Sequence, residues 1–514
     1  MGVKHVALLR LYVIAFVCGL AGQVYSQSLE ARIDDLIDEC VLNDQFMGSV
    51  LVAENGEVIL AKGYGLADVN KNIPNTPETL FPIGSISKQF TAMLVTQLVE
   101  KGKLRLDNTI ADFLPDFPED IGQKITVEML LCHTAGLPFP EGIEEYYYVS
   151  TKNEYLQEFL KQLAQEGLRF NPGEGYGYSN AGYFILGLII EKVTGKTYEE
   201  VLDEQILKPL DMSNTLCARK GLTTENMAVS YQKPGGQYIT WNEDTNAYDP
   251  AVCGFAYGSI ISTVRDLFKF SQALSSDKLL SRPYMDMYLQ MRNVKSRPPV
   301  PNISEGLAKE FFGICGNGFV GEISILEDPA TGEKETLYWH DGTSRLFKSN
   351  HFYYGGKDQV IIIFSNCSFL CEGNEMVLRI HQLLNNKPYE HVRIKHSLMQ
   401  YVEDDIAMHA GIPVAIDEYL RLKDDTANFT VPGPRYLAWI GREVAERGYP
   451  DDAILILQTT VSEFPDTWEV YDALAEIHLL RGDTAAAIQH YRRSLDINAQ
   501  NDKAATMIKQ LCKE

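Results

Sequence analysis

Three short stretches of this sequence hold residue types that do chemistry in concert. The first is "FPIGSISKQFTAML" (Phe81 to Leu94), where Ser85 and Lys88 stand three apart and so share a helix face. A lysine in a first helical turn is electrostatically misplaced, because that end already carries partial positive charge. The run that follows is apolar almost all round, so the helix is expected to be buried and Lys88 to have no path to water. Burial beside a helix N-terminus lowers an amine's pKa and leaves a neutral group able to take a proton from Ser85. The pair reads as a nucleophile and its activating base. The same S-x-x-K spacing recurs at Ser230–Lys233 and Ser275–Lys278. One runs into Pro234-Gly235-Gly236 and the other lies in polar "LSSDK", so neither opens an apolar helix.

The second stretch is "PGEGYGYSNAGYFILG" (Pro172 to Gly187), with Tyr178 and Asn180 just before another apolar helix. A tyrosine hydroxyl can shuttle a proton, and an asparagine amide can hold a substrate carbonyl. Gly177-Tyr178-Ser179-Asn180-Ala181 falls one glycine short of a G-x-S-x-G nucleophile elbow and has no parallel-sheet pattern around it. The third is His340-Asp341-Gly342 after "ETLYW". A glycine on an edge strand lets a substrate backbone approach, and the N–H of Thr343 can join that of Ser85 in an oxyanion hole. His409-Ala410-Gly411 matches H-x-G as well but lies in a helical tail. The chain order S-x-x-K, Y-x-N, H-x-G is far more specific than any one member.

The elements that must position these residues are legible in outline. "SVLVAENGEVILAKGYG" (Ser49 to Gly65) reads as a hairpin turning at Asn55-Gly56. Helical and loop patterns then continue to about residue 300. Strand character returns with "ETLYWHDG" and "NHFYYGGKDQVIIIFSN" (Asn350 to Asn366). Strands at both ends with helices between predict an α+β domain: an antiparallel sheet flanked by helices, with an inserted helical region. From about residue 393 the pattern is wholly helical. Leu474, Ala475, Gly482, Ala487, Tyr491 and Leu495 fall where a 34-residue tetratricopeptide repeat wants them. One repeat earlier stand Ile440, Gly441, Gly448, Ala453, Leu457 and Val461, and Gly411 to Lys423 resembles half of a degenerate third repeat. The expected division is 1–26, 27–392 and 393–514.

Residues 1–26 have the form of a secretory signal: Lys4 and Arg10, an apolar core from Leu11 to Gly22, and a small-residue site before Gln27. The apolar run is too short for a stable membrane span. Its removal takes the formal charge of the 514-residue chain from −23 to −25. No basic run offsets that charge, which argues against nucleic acid. Eight cysteines remain beyond Cys18, mostly in apolar contexts, with Cys367 and Cys371 the one close pair. No CxxC or HExxH pattern appears, and no metal or cofactor is expected.

Residues from about 30 to 390 resemble the serine β-lactamase-related family of class C β-lactamases, D,D-peptidases, esterases and D-amino-acid peptidases. "NGEVILAKGYGLAD", "TLFPIGSISKQFTA", "ITVEMLLCHTAGLP", "YSNAGYFILGLIIEKVTG" and "GSIISTVRDLFKF" carry the likeness. The resemblance implies Ser85 as the acylated nucleophile, Lys88 as its amine partner and Tyr178 as general base or acid. It implies Asn180 as a substrate contact, and His340 where many members have lysine. Leu346 stands where the family often has glycine before a phenylalanine, so a narrowed site or a shifted loop is expected. His133 in "CHTAGLP" reads as structural.

The expectation is a periplasmic or secreted serine hydrolase of a small-molecule or peptide substrate, opening an amide, ester or β-lactam bond through an acyl-enzyme. Cell-wall or D-amino-acid peptide metabolism is the expected setting, and the repeats offer a docking surface for a protein partner. The alternative is an inactive hydrolase-like receptor that uses the repeats as its scaffold; the complete Ser85, Lys88, Tyr178 set argues against it.

Overall fold

The computed structural model describes residues 27–42, 46–138, 152–218, 226–232, 239–240, 255–294, 314–327, 332–344, 346–367, 373–387, 396–397, 411–425, 429–430, 433–446, 449–499 and 501–512. The expected signal segment, Cys253, Arg345, Cys371 and His409 lie outside them. Helix α1 (Leu29–Leu42) leads into strands β1 (Gly48–Glu54) and β2 (Glu57–Tyr64). Their turn falls at Asn55-Gly56, both at positive φ (53° and 77°), as a tight hairpin requires. Three long helices of the inserted part bear on the site: α2 (Ser87–Glu100), α3 (Asn180–Thr194) and α4 (Val264–Ala273). Strands β3 (Asn293–Val294), β4 (Ile314–Gly318), β5 (Gly321–Glu327), β6 (Lys334–Ser344), β7 (Phe347–Tyr354) and β8 (Gln359–Ser365) follow, and then α5 (Gly373–Leu384).

The strands form one sheet in the order β3-β4-β5-β6-β7-β8-β1-β2, antiparallel throughout. The β1–β8 pairing, Gly48 against Ser365 through Glu54 against Gln359, joins the two ends of the domain as the sequence pattern predicts. Every residue of β8 is buried because both sheet faces are covered. On one face Val50, Val52, Ile361 and Ile363 pack with α1 (Ile33, Ile37) and α5 (Val377, Ile380). On the other, Leu51, Ile362 and Phe364 share a core with α2 (Phe90, Leu94), α3 (Phe184, Ile185) and α4 (Leu267, Phe270). The period-2 alternation of strand side chains sends neighbouring residues to these two cores.

The helical tail comprises α6 (Ile412–Leu422), α7 (Pro434–Glu446), α8 (Pro450–Glu463), α9 (Trp468–Leu480), α10 (Thr484–Ile497) and α11 (Asp502–Leu511). Helices α7 and α9 start 34 residues apart, and so do α8 and α10. Matching positions of successive units touch: Arg442 bonds Glu476 at 2.6 Å and Arg435 bonds Glu469 at 2.7 Å. Ala453, Leu457, Leu474, Ala475, Ala487 and Tyr491, all singled out by the repeat pattern, are buried. Among the described residues no helix is long and apolar enough to cross a membrane.

Candidate active site

Strand-like residues Phe81 and Pro82 pair with Ile261 and Ser262, and the Ile83 N–H donates to the Ile260 carbonyl (2.9 Å). The chain then turns through Gly84 at φ +50° into a 3₁₀ turn, Gly84–Ile86, before α2 begins at Ser87. Ser85 therefore sits on the tight turn ahead of the α-helix rather than opening it, one step earlier than the sequence pattern suggested. Ser87 secures the turn, its Oγ accepting the Ile260 N–H at 3.0 Å.

Lys88, one turn on, is only 1% exposed. Its Nζ lies 2.9 Å from Ser85 Oγ and 2.9 Å from the Tyr257 carbonyl. The rings of Tyr178, Tyr257 and Tyr183 surround it at 4.9, 5.5 and 5.7 Å. Tyr178 donates its hydroxyl to Ser85 Oγ at 2.9 Å, so two groups, one of them 93 residues away in the chain, converge on one oxygen. Burial pushes the Tyr178 phenol well above its ordinary pKa, more than the bond to Ser85 lowers it, with Asp341 adding to the rise. The phenol therefore keeps its proton at neutral pH. Among the described residues no other S-x-x-K pair shows such contacts. Ser275 and Lys278 are exposed after α4, and Ser230 is buried with Lys233 outside the described residues.

Tyr178 is held by a residue whose role the sequence did not disclose. His133, itself at φ +57°, accepts the Gly177 N–H on its carbonyl (2.9 Å) and the Ser179 N–H on Nδ1 (3.1 Å). Its ring stacks on the Tyr178 ring with centroids 4.5 Å apart. The reading of His133 as structural holds, with the addition that what it fixes is Tyr178. Ser179 accepts the Gly182 N–H as the N-cap of α3, which places half-buried Asn180 at the first position of that helix.

The third wall is the end of β6. That strand pairs with β5 only as far as Trp339, so from His340 to Ser344 one side is open, although β6 as a whole lies inside the sheet. A Cβ at Gly342 would stand 2.0 Å from the Ile83 carbonyl oxygen and 2.4 Å from Ser349 Oγ, so no side chain fits at that position. Gly84 mirrors it, since a Cβ there would lie 2.9 Å from Thr343 N and 2.7 Å from Thr343 O. Two glycines let the nucleophile turn and the strand meet backbone to backbone, which brings Ser85 and the Thr343 amide to one place. Leu346 is buried in the turn after β6.

His340 is 5% exposed, its Nδ1 2.6 Å from the Asp341 carbonyl oxygen and its ring 6.5 Å from that of Tyr178. Burial holds its pKa below the ordinary 6.5; the Asp341 carboxylate opposes this and the Lys88 amine adds to it. At neutral pH the imidazole is uncharged.

Comparisons with known proteins place the chain in a family. The family model described as Beta-lactamase matches residues 33–380. The chain belongs to this family. The matched span takes in most of α1, the whole sheet and most of α5, and stops before the helical tail. A relative within reach of sequence alone is penicillin-binding protein 4* of Bacillus subtilis, 33% identical over 267 residues, covering 50% of this chain and 58% of that one. The chain spans about half the length of the curated relatives it matches. Among solved structures, the octameric penicillin-binding protein homologue from Pyrococcus abyssi superposes with a TM-score of 0.57 at 26% identity, over 70% of this chain and 77% of that one. D-Amino acid amidase from Ochrobactrum anthropi SV3 gives 0.56 at 24% identity, over 70% and 99%. In this Beta-lactamase family member, the sequence-predicted Ser85, Lys88, Tyr178, His340, Gly342 and Thr343 come together in one region, with Asn180 two residues from Tyr178.

Proposed function

We propose that the chain is a secreted serine hydrolase that forms an acyl-enzyme at Ser85 and hydrolyses an amide, ester or β-lactam bond. The observation that carries this reading is the pair of 2.9 Å contacts at Ser85 Oγ, one with Lys88 Nζ and one with Tyr178 OH. With the phenol protonated, Lys88 in its neutral form is the group placed to take the Ser85 proton. Ser85 Oγ then adds to the carbonyl carbon, and the oxyanion receives the N–H groups of Ser85 and Thr343. Tyr178 gives its proton to the departing group and is reprotonated from Lys88. Water attacks the acyl-enzyme by the reverse relay and frees Ser85.

The signal-like residues 1–26 support export to an envelope space such as a periplasm, leaving a hydrolase domain over 27–392. The 34-residue spacing of α7 with α9 and of α8 with α10 supports tetratricopeptide repeats in 393–514, a module suited to docking a protein or peptide. A receptor without catalysis finds no support in a site whose nucleophile is so fully partnered. Cell-wall or D-amino-acid peptides fit as substrates, with Asn180 and His340 as contacts.

His340 sets which of these is favoured. A neutral imidazole cannot hold a carboxylate as a permanent cation does, so wild type is expected to turn over uncharged esters and amides better than matched carboxylate-bearing ones. His340→Lys is expected to shift the kcat/KM ratio toward the acidic partner by about 1–2 kcal/mol, the worth of a charge-assisted contact. Because burial lowers the His340 pKa, the wild-type ratio should stay flat from pH 8 to about 6.5 and move toward the carboxylate only as the pH falls further. A wild type that prefers the carboxylate throughout, indifferent to His340→Lys, rules this residue out as the determinant.

A further inference from the structure

Next to Lys88, three buried polar residues from three elements join in a chain that the proposed mechanism leaves unused. Gln89, next to Lys88 on α2, is 1% exposed; His351 on β7 is 1% exposed and Ser271 on α4 is fully buried. His351 Nδ1 lies 2.8 Å from Gln89 Oε1, and His351 Nε2 lies 2.7 Å from Ser271 Oγ. The Gln89 amide nitrogen donates to the Val320 carbonyl at 2.8 Å. Gln89 Oε1 can only accept, so the imidazole donates from Nδ1; the Ser271 hydroxyl lies 2.7 Å from Nε2 and 3.0 Å from the Leu267 carbonyl, and its one proton is shared between those two acceptors. The ring is neutral, its pKa pushed down to about 3 by burial, with His340 adding.

The far end of this chain reaches the substrate side. Val320 is fully buried between β4 and β5, its N–H donating to the Tyr288 carbonyl (3.2 Å) while its own carbonyl takes the Gln89 amide. Gly321 follows at φ +114°, and a Cβ there would stand 2.8 Å from His340 Cδ2. The turn is thus the surface against which the His340 ring rests. His340 also faces its β-sheet partner His351 directly across the β6–β7 register.

We propose that Gln89 and His351 are positioning residues for the hydrolase site: through Val320 they press the Gly321 backbone against His340 and so fix the wall that His340 presents to substrate. This rests on the reading of Ser85 as nucleophile and His340 as substrate contact. Each member has few alternatives, since a buried amide or imidazole deprived of its partner is left unsatisfied. Small displacements of such a wall change substrate placement far more than they change the nucleophile.

The test compares two reactions of the full-length chain: inactivation by a small alkyl fluorophosphonate, which expels only fluoride, and turnover of an aryl ester with a bulky leaving group. Gln89→Met and His351→Leu are expected to raise KM for the ester about tenfold while leaving the inactivation rate constant within about threefold. The double variant should be little worse than either single one, because both break the same chain. His351→Asn, which keeps an N–H near the Nδ1 position, should recover most of the ester KM. Ser271→Ala, milder and less demanding on folding, should move KM the same way by two- to threefold. If ester turnover and inactivation fall together in every variant, or if KM is unmoved in folded protein, the inference is overturned. A wild type that neither reacts with the fluorophosphonate nor cleaves the ester sinks the hydrolase reading itself, a separate and recognisable result.

Discussion

Ser85→Ala is expected to lower kcat for any ester or amide substrate by about 10⁴-fold or more, while the protein remains folded with nearly unchanged thermal stability. Catalytic sets that act as a unit lose most of their rate with the first member removed, the residue coming from binding and the oxyanion hole alone. Ser85 is half-buried on a short turn whose backbone is held from elsewhere, by Ile83 to Ile260 and by Ser87 to Ile260. Loss of that hydroxyl removes two contacts, at about 1 kcal/mol each by the usual scale for a net hydrogen bond, a small change in so large a domain. Steady-state kinetics beside a melting curve separates the two effects. Full activity in Ser85→Ala with an unchanged melting point would leave the proposed chemistry without its nucleophile.

Lys88→Met is expected to be almost as damaging to turnover, about 10³-fold or more, yet not to destabilise the fold. The amine is 1% exposed among three tyrosine rings, where a thioether of similar length packs well. Replacing a buried ionisable group with an apolar one of similar shape is often neutral or stabilising. Against that stands the Tyr257 carbonyl, which loses its donor at a cost of roughly 1 kcal/mol. The expected net change in stability is within about 1 kcal/mol either way. Ser85→Ala/Lys88→Met should be no slower than Ser85→Ala alone. A lysine variant that is fully folded and still fast would assign proton transfer elsewhere, and Tyr178 would then be the first group to examine.

The parts of this site legible in the sequence were those with local signatures. Ser85–Lys88 stood out from two equal matches because only it preceded a long apolar helix, and the hairpin was announced by Asn55-Gly56. The tail declared itself by a 34-residue period, which the helix starts of α7 and α9 reproduce. What stayed hidden depends on contacts between distant residues. Nothing around Gly342 in the sequence shows that Ile83, 259 positions earlier, lies against it. His133 looks like a loop residue because its partners, Gly177 and Ser179, lie more than 40 positions away. The Gln89–His351 pair joins residues 262 apart, and nothing in "SKQFTA" distinguishes a glutamine that holds a turn from one that faces water. Sequence pattern thus picks out the residues that meet at Ser85 Oγ and misses much of the packing that holds them in place.

The central claim, that Ser85 is the atom acylated, has one most direct test. The full-length chain is treated with a biotinylated fluorophosphonate, digested, and the modified peptide is sequenced by mass spectrometry. The account predicts a single adduct on Ser85, abolished by Ser85→Ala and strongly slowed by Lys88→Met. An adduct on another residue, or ester hydrolysis that persists while Ser85 stays unmodified, would contradict it.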